Sequence, residues 1–236
     1  MRLTTFAATL AVALTLASGA QASTFGSNLI VNGDAEVGQG SSNGSLVSVP
    51  GWTTSSNFTA VRYGAAGGFP GAGDAGPADR GLNFFGGGEG TAASGATQTI
   101  NLSSLSASIN TGVSRYDLSA WLGGYASQND HALLTATFFG SGGEVLSVAG
   151  LNSVSAGDRA NATGLLLRDK QGFIPTGTVS VGIALNMVRN EGSYNDGYAD
   201  KLSFAVATPV PEADAYWMML GGLALLGVVA RRKAPV

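Results

Sequence analysis

The sequence predicts an all-β domain, a sandwich or a barrel, set between two apolar ends. Three observations carry this. Residues 178–187 alternate without error, with Val179, Val181, Ile183, Leu185 and Met187 on one face and Ser180, Gly182, Ala184 and Asn186 on the other. That is the period of a strand with one buried face. Gly accounts for 36 of the 236 residues, with no Gly-X-Y period, and glycines supply the positive φ angles that many tight turns require. Between residues 25 and 208 no segment shows a convincing 3.6-residue period with helix caps.

The elements follow in chain order. Met1-Arg2 carries one positive charge, residues 3–17 are nearly all apolar or Thr, and Ala20-Gln21-Ala22 is a small-x-small site. This is the layout of a secretory signal, with cleavage expected after Ala22; a retained membrane anchor is the alternative. Residues 28–31, 82–85 and 98–102 read as short strands, and residues 64–81 and 86–95 as Gly/Ala-rich loops. Residues 103–109 hold at most one helical turn. Residues 116–122 alternate, with Tyr116, Leu118, Ala120 and Leu122 on one face. Residues 133–139 form a β-branched and aromatic run closed by Gly140-Ser141-Gly142-Gly143, then a strand at 144–148. Residues 178–187 and 198–206 complete the set, and the domain spans residues 23–208.

The tail repeats the pattern of an apolar end. Residues 216–230 carry no charge, Tyr216 and Trp217 stand where an interfacial aromatic belt would, and Arg231-Arg232-Lys233 obeys the positive-inside rule. A transmembrane helix is expected at about 215–230, short against the ~20 residues of an ordinary span. Pro211-Glu212, an apolar helix and a terminal basic cluster resemble the PEP-CTERM sorting tag over residues 209–236, with Ala213 where the usual second Pro would be. The resemblance implies recognition by an exosortase, cleavage near Pro211-Glu212, retention of Arg231, Arg232 and Lys233 on the cytoplasmic side until then, and an association with exopolysaccharide. The chain would use the secretion machinery and signal peptidase first, be anchored transiently at the inner membrane, and end at the cell surface or outside. A plain tail anchor is the alternative.

Composition removes several classes of function. The absence of Cys excludes disulfides, thiolate chemistry and Cys-based zinc sites. The formal charge of −3 argues against nucleic acid. Without the charges of the two ends, residues 23–208 keep 8 of the 12 basic and 13 of the 15 acidic residues, so the domain is acidic at −5. The positive mean hydropathy belongs largely to the ends.

Within the domain, Asn28-Leu29-Ile30-Val31-Asn32-Gly33-Asp34-Ala35-Glu36 followed by Gly51-Trp52, the strand at 116–122, and the runs 174–181 and 193–203 resemble the galactose-binding-like jelly roll of many carbohydrate-binding modules. The likeness covers nearly all of the domain and implies a jelly-roll β-sandwich. In that family a first-strand Glu and a last-strand Asp meet at a structural calcium. This assigns Glu36 and Asp200 as ligands with Asp34 as a further one, although Lys201 stands where a second Asp is common. Residue alternation places Tyr198, Asp200, Leu202, Phe204 and Val206 on one buried face, and a buried carboxylate needs a partner or a cation. Capping of backbone N–H groups by Asp200 is the other reading. Trp52, Tyr63, Phe69, Trp121, Tyr125 and Tyr194 could stack on sugars, with Trp121, Tyr125 and Tyr194 the assigned set. His131 has no oriented partner or nucleophile elbow in the sequence, so no catalytic residue is assigned. Three functions are open: a non-catalytic polysaccharide-binding module, a structural matrix or surface protein without a sugar site, and a glycan hydrolase.

Overall fold

The computed structural model describes residues 25–207. Ten strands form: β1 (Thr53–Ser55), β2 (Thr59–Arg62), β3 (Asn83–Glu89), β4 (Ala93–Asn101), β5 (Arg115–Gly124), β6 (His131–Phe139), β7 (Val145–Gly150), β8 (Gly164–Phe173), β9 (Ser180–Val188) and β10 (Tyr194–Ala207). A 3-10 turn at Ser103–Leu105 and one helical turn at Ser106–Ile109 link β4 to β5. One sheet is ordered β1-β4-β9-β6-β7 and the other β2-β3-β10-β5-β8. All strand pairs are antiparallel. From β3 to β10 the chain changes sheet at every step except the β6–β7 hairpin. That interleaving makes a jelly roll, with β1 and β2 added at the edges.

The main core lies between the sheets. Alternation delivers Leu118, Ala120 and Leu122 from β5, Leu134 and Phe138 from β6, and Val181, Ile183 and Leu185 from β9 into it. Phe138 packs at 5.1 Å from Tyr116 and 6.1 Å from Phe204, ring centroid to centroid, and so joins the two sheets. A second apolar cluster of Val61, Phe84, Leu165 and Tyr198 sits on the opposite face of the β2-β3-β10-β5-β8 sheet. Tyr63, Ala65, Phe69, Trp121 and Tyr125 pack against it. The Gly/Ala-rich segment after β2 covers this cluster. Arg80 pins that segment through the carbonyls of Gly71, Asp74 and Pro77, with its guanidinium 5.1 Å from the Tyr63 ring centre.

Four sequence expectations change. Residues 28–31 form no strand. The Asn28 side chain bridges to β10 instead: its Oδ1 accepts the Ile30 and Phe204 amides and its Nδ2 donates to the Leu202 carbonyl. Residues 86–95 are not a loop, because β3 runs through Gly86-Gly87-Gly88 to Glu89 and β4 starts at Ala93. Gly88 has φ +90°, and a Cβ there would lie 1.8 Å from the Asn57 carbonyl oxygen, so glycine here lets strand β3 approach the β1–β2 turn closely. Strands β1, β2 and β8 are additions; all three are edge strands and lack clean alternation. Finally, the buried face of the last strand is not continuous. β10 carries a bulge between Asp200 and Ser203, with Lys201 at φ +48°. The bulge reverses side-chain parity. Leu202, Phe204 and Val206 face the main core, whereas Tyr198 and Asp200 turn to the opposite face beside Trp121.

Candidate functional site

An open cleft of about 320 Å³ lies at one end of the second cluster, lined among others by Asn43, Phe69, Glu89, Tyr125, Tyr194 and Asp196. Tyr125 follows the last residue of β5. Its loop is held from below by Arg159, which is 6% exposed and donates to the carbonyls of Ala126, Gln128 and Ala162. The Ala126 amide donates to Thr163 Oγ1 at 3.1 Å. Tyr194 opens β10. Its hydroxyl donates to the Gly44 carbonyl at 3.1 Å, and its ring meets Phe69 edge-on at 5.1 Å and 77°. Three aromatic rings therefore converge on one cleft from three separate segments.

Asp130 fixes the wall that carries Tyr194 and Asp196. It is 0% exposed. Its Oδ1 accepts the amides of Asn190 at 2.6 Å and Glu191 at 2.9 Å, and its Oδ2 accepts the Asp196 amide at 2.9 Å. Three backbone donors satisfy one buried carboxylate, which is what burial of a charge demands. Asp196 is 9% exposed, and its Oδ1 accepts the Tyr198 hydroxyl. Desolvation raises the Asp196 pKa to about 6; the Tyr198 hydrogen bond opposes this, the Asp130 charge adds to it and Arg159 opposes it. The Tyr194 phenol is pushed up by burial and then by the charges of Asp196 and Glu89.

The assigned residues separate into three places. Tyr125 and Tyr194 share the cleft. Trp121 lies on the same sheet face but is half-buried against the second cluster and does not line the cleft. Asp200 is 0% exposed under Tyr63, whose hydroxyl donates to its Oδ2 at 2.8 Å, while the Lys201 amide donates to Oδ1 at 2.6 Å. Burial pushes Asp200 up to about 7 against those two donors. Glu36 Oε1 accepts the Leu82 and Asn83 amides at 2.8 Å each, and Asp34 Oδ1 accepts the Glu36 amide at 3.4 Å. Calcium takes six to eight oxygens. Here the carboxylates meet protein N–H and O–H donors, and the described residues contain no group of three or more acids or His able to hold a metal. No function is routed through a calcium ion. His131 Nδ1 lies 2.9 Å from the Asn129 carbonyl and 3.5 Å from Asn190 Nδ2. Ala22, Pro211, Glu212, Arg231, Arg232 and Lys233 lie outside the described residues, as do both expected apolar helices. Among the described residues no helix is long and apolar enough to cross a membrane.

Sequence reasoning did not single out Asn43, Glu89 and Asp196, nor Asp130 and Arg159 behind them. Asp196 carried a signal, since it stands between Tyr194 and Tyr198 in the last strand. Asn43, Asp130 and Arg159 come from distant loops and Glu89 from the end of β3.

Residues 209–233 match the PEP-CTERM protein-sorting motif. Among solved structures the chain is similar to a family 16 carbohydrate-binding module at 20% identity, covering 75% of this chain and 99% of that one with a TM-score of 0.47. It is similar to the bacteriophage CBA120 tailspike protein 4 enzymatically active domain at 16% identity, with 76% of this chain, 21% of that one and a TM-score of 0.44. It is also similar to the C-terminal family 22 carbohydrate-binding module of Clostridium thermocellum Xyn10B at 14% identity, with 72% and 99% coverage and a TM-score of 0.42. The comparison with curated proteins found no match. The chain thus joins a PEP-CTERM sorting motif to an all-β jelly roll whose structural neighbours include carbohydrate-binding modules.

Proposed function

We propose that the protein is an exported, exosortase-processed, non-catalytic module that binds extracellular polysaccharide in the cleft and helps to organise it at the cell surface. The observation that carries this reading is the convergence of Phe69, Tyr125 and Tyr194 on one open cleft. Flat aromatic faces take up the apolar faces of pyranose rings. Asn43 and Ser193, which also line the cleft, offer hydrogen bonds that orient a ligand. The sorting motif supports delivery outside the cytoplasm. Isothermal titration with a panel of soluble polysaccharides tests it. Tyr125→Ala is expected to weaken binding at least about fivefold with the melting temperature little changed, since a lost aromatic stack is worth ~1 kcal/mol or more. Tyr194→Ala should weaken it as much and also lower the melting temperature, because it loses the Gly44 hydrogen bond and the Phe69 contact. Trp121→Ala should retain binding. A panel with no binder would leave a purely structural role.

One observation favours a second reading. A carboxyl raised to about 6 shares the cleft with Glu89, and glycoside hydrolysis uses an acid paired with a second carboxylate. Release of reducing ends by the wild type, lost in Asp196→Asn, would replace the non-catalytic reading with a hydrolase.

A further inference from the structure

We infer that the cleft selects a polysaccharide bearing free amino groups, a cationic amino sugar, over neutral or acidic glycans. This rests on the reading of the cleft as a glycan site. The cleft combines aromatic rings, from Phe69, Tyr125 and Tyr194, with two carboxylates, Glu89 and Asp196, and no basic side chain lines it. Both carboxylates act electrostatically on the Tyr194 phenol, which places them in reach of one ring. Asp196 is nine-tenths buried, and only its Oδ1 takes a hydrogen bond, from Tyr198. Its Oδ2 has no partner among the described residues and belongs to a residue that lines the cleft. That oxygen is open to solvent, where a ligand ammonium can donate to it.

The neighbouring cations do not supply it. Arg159 donates to the carbonyls of Ala126, Gln128 and Ala162, and Arg189 donates to the Ser193 carbonyl at 2.7 Å. Neither forms an ion pair with Asp196 or Glu89 among the described residues. Aromatic faces beside carboxylates are a combination that recognises an ammonium group: the ring quadrupole attracts the cation and the carboxylate takes its N–H donors. Glu89, and Asp196 to the extent that it is ionised, disfavour a uronic acid.

The test uses the full secreted chain and four β-linked hexamers titrated at about pH 6: glucosamine, N-acetylglucosamine, glucose and a uronic acid. The glucosamine hexamer is expected to bind about tenfold or more tightly than the acetylated and neutral ones, and the uronate hexamer most weakly. Glu89→Gln with Asp196→Asn should erase that preference, so that the glucosamine and glucose hexamers bind this variant within about twofold of each other. Equal binding of the glucosamine and glucose hexamers, still sensitive to Tyr125→Ala, would overturn the amino-sugar selectivity and leave the glycan reading intact. A preference that survives the double carboxylate variant would also overturn it, because the charge would then come from elsewhere. Absence of binding to all four overturns both.

Discussion

Asp196 and Asp130 are two buried acids with opposite surroundings, and the difference has a measurable consequence. Asp130 accepts three backbone amides. Asp196 accepts one hydroxyl and lies near the negative charge of Asp130, so burial prevails and its pKa rises from the ordinary 3.8 to about 6. The folded protein therefore holds the Asp196 proton more firmly than the unfolded chain does. Stability contributed by this group is fully present below about pH 4 and is lost as pH rises through about 6. Urea denaturation across pH 4 to 7 should show the wild type falling relative to Asp196→Asn over that window, by about 1–2 kcal/mol after allowance for solvent screening, with a constant gap above it. A gap independent of pH would show that the carboxyl titrates normally. The same residue explains a limit of sequence reading: an Asp between two tyrosines shows that a charge is present, but its missing donor depends on Asp130 and Arg159, which are 66 and 37 positions away.

At the level of elements, the strands were legible where one face is buried and invisible where tertiary contacts replace pattern. β5, β6 and β9 sit inside their sheets, and their alternation at 116–122, 133–139 and 178–187 reads directly as buried and exposed faces. β8 is an edge strand whose Leu167 and Phe173 are exposed, so its residues give no period. The bulges of β10, between Asn195 and Tyr198 and between Asp200 and Ser203, defeat the even-and-odd count that assigns Asp200 to the core. The second bulge also aims Tyr198 away from the main core, where its hydroxyl donates to Asp196 at the cleft. The adjoining pair β5–β8 depends on one close approach: a Cβ on Gly123 would lie 1.9 Å from the Gly164 carbonyl oxygen. Gly123→Ala must therefore part the two strands, and we expect a loss of about 3 kcal/mol. Because Tyr125 follows two residues later, glycan affinity should fall with it. Hydrogen exchange should quicken first at the β8 amides; unchanged protection there would show that the strand pair tolerates the methyl group.

Across the whole molecule, the two ends of the domain meet far from the cleft. Phe25 bridges to Val206, and the Gly26 amide donates to the Val206 carbonyl at 2.8 Å. β10 begins at Tyr194 in the cleft and ends at Ala207, two residues before the sorting motif at 209–233. At about 3.3 Å per residue the strand separates cleft from tail by roughly 40 Å. A chain still tethered by its tail thus carries its cleft at the far end of its longest strand, and ligand binding should not depend on processing. Replacing Pro211 and Glu212 together by Ala in the native host is expected to leave the chain in the membrane fraction at the mass of an unprocessed tail, whereas the wild type loses it. The retained protein, extracted in mild detergent, should bind the same glycan within about twofold of the released form. Normal release of the variant would place the sorting signal elsewhere than Pro211-Glu212. Loss of affinity in the retained form would mean that the tail reaches the cleft, and the separation along β10 would then not govern access to it.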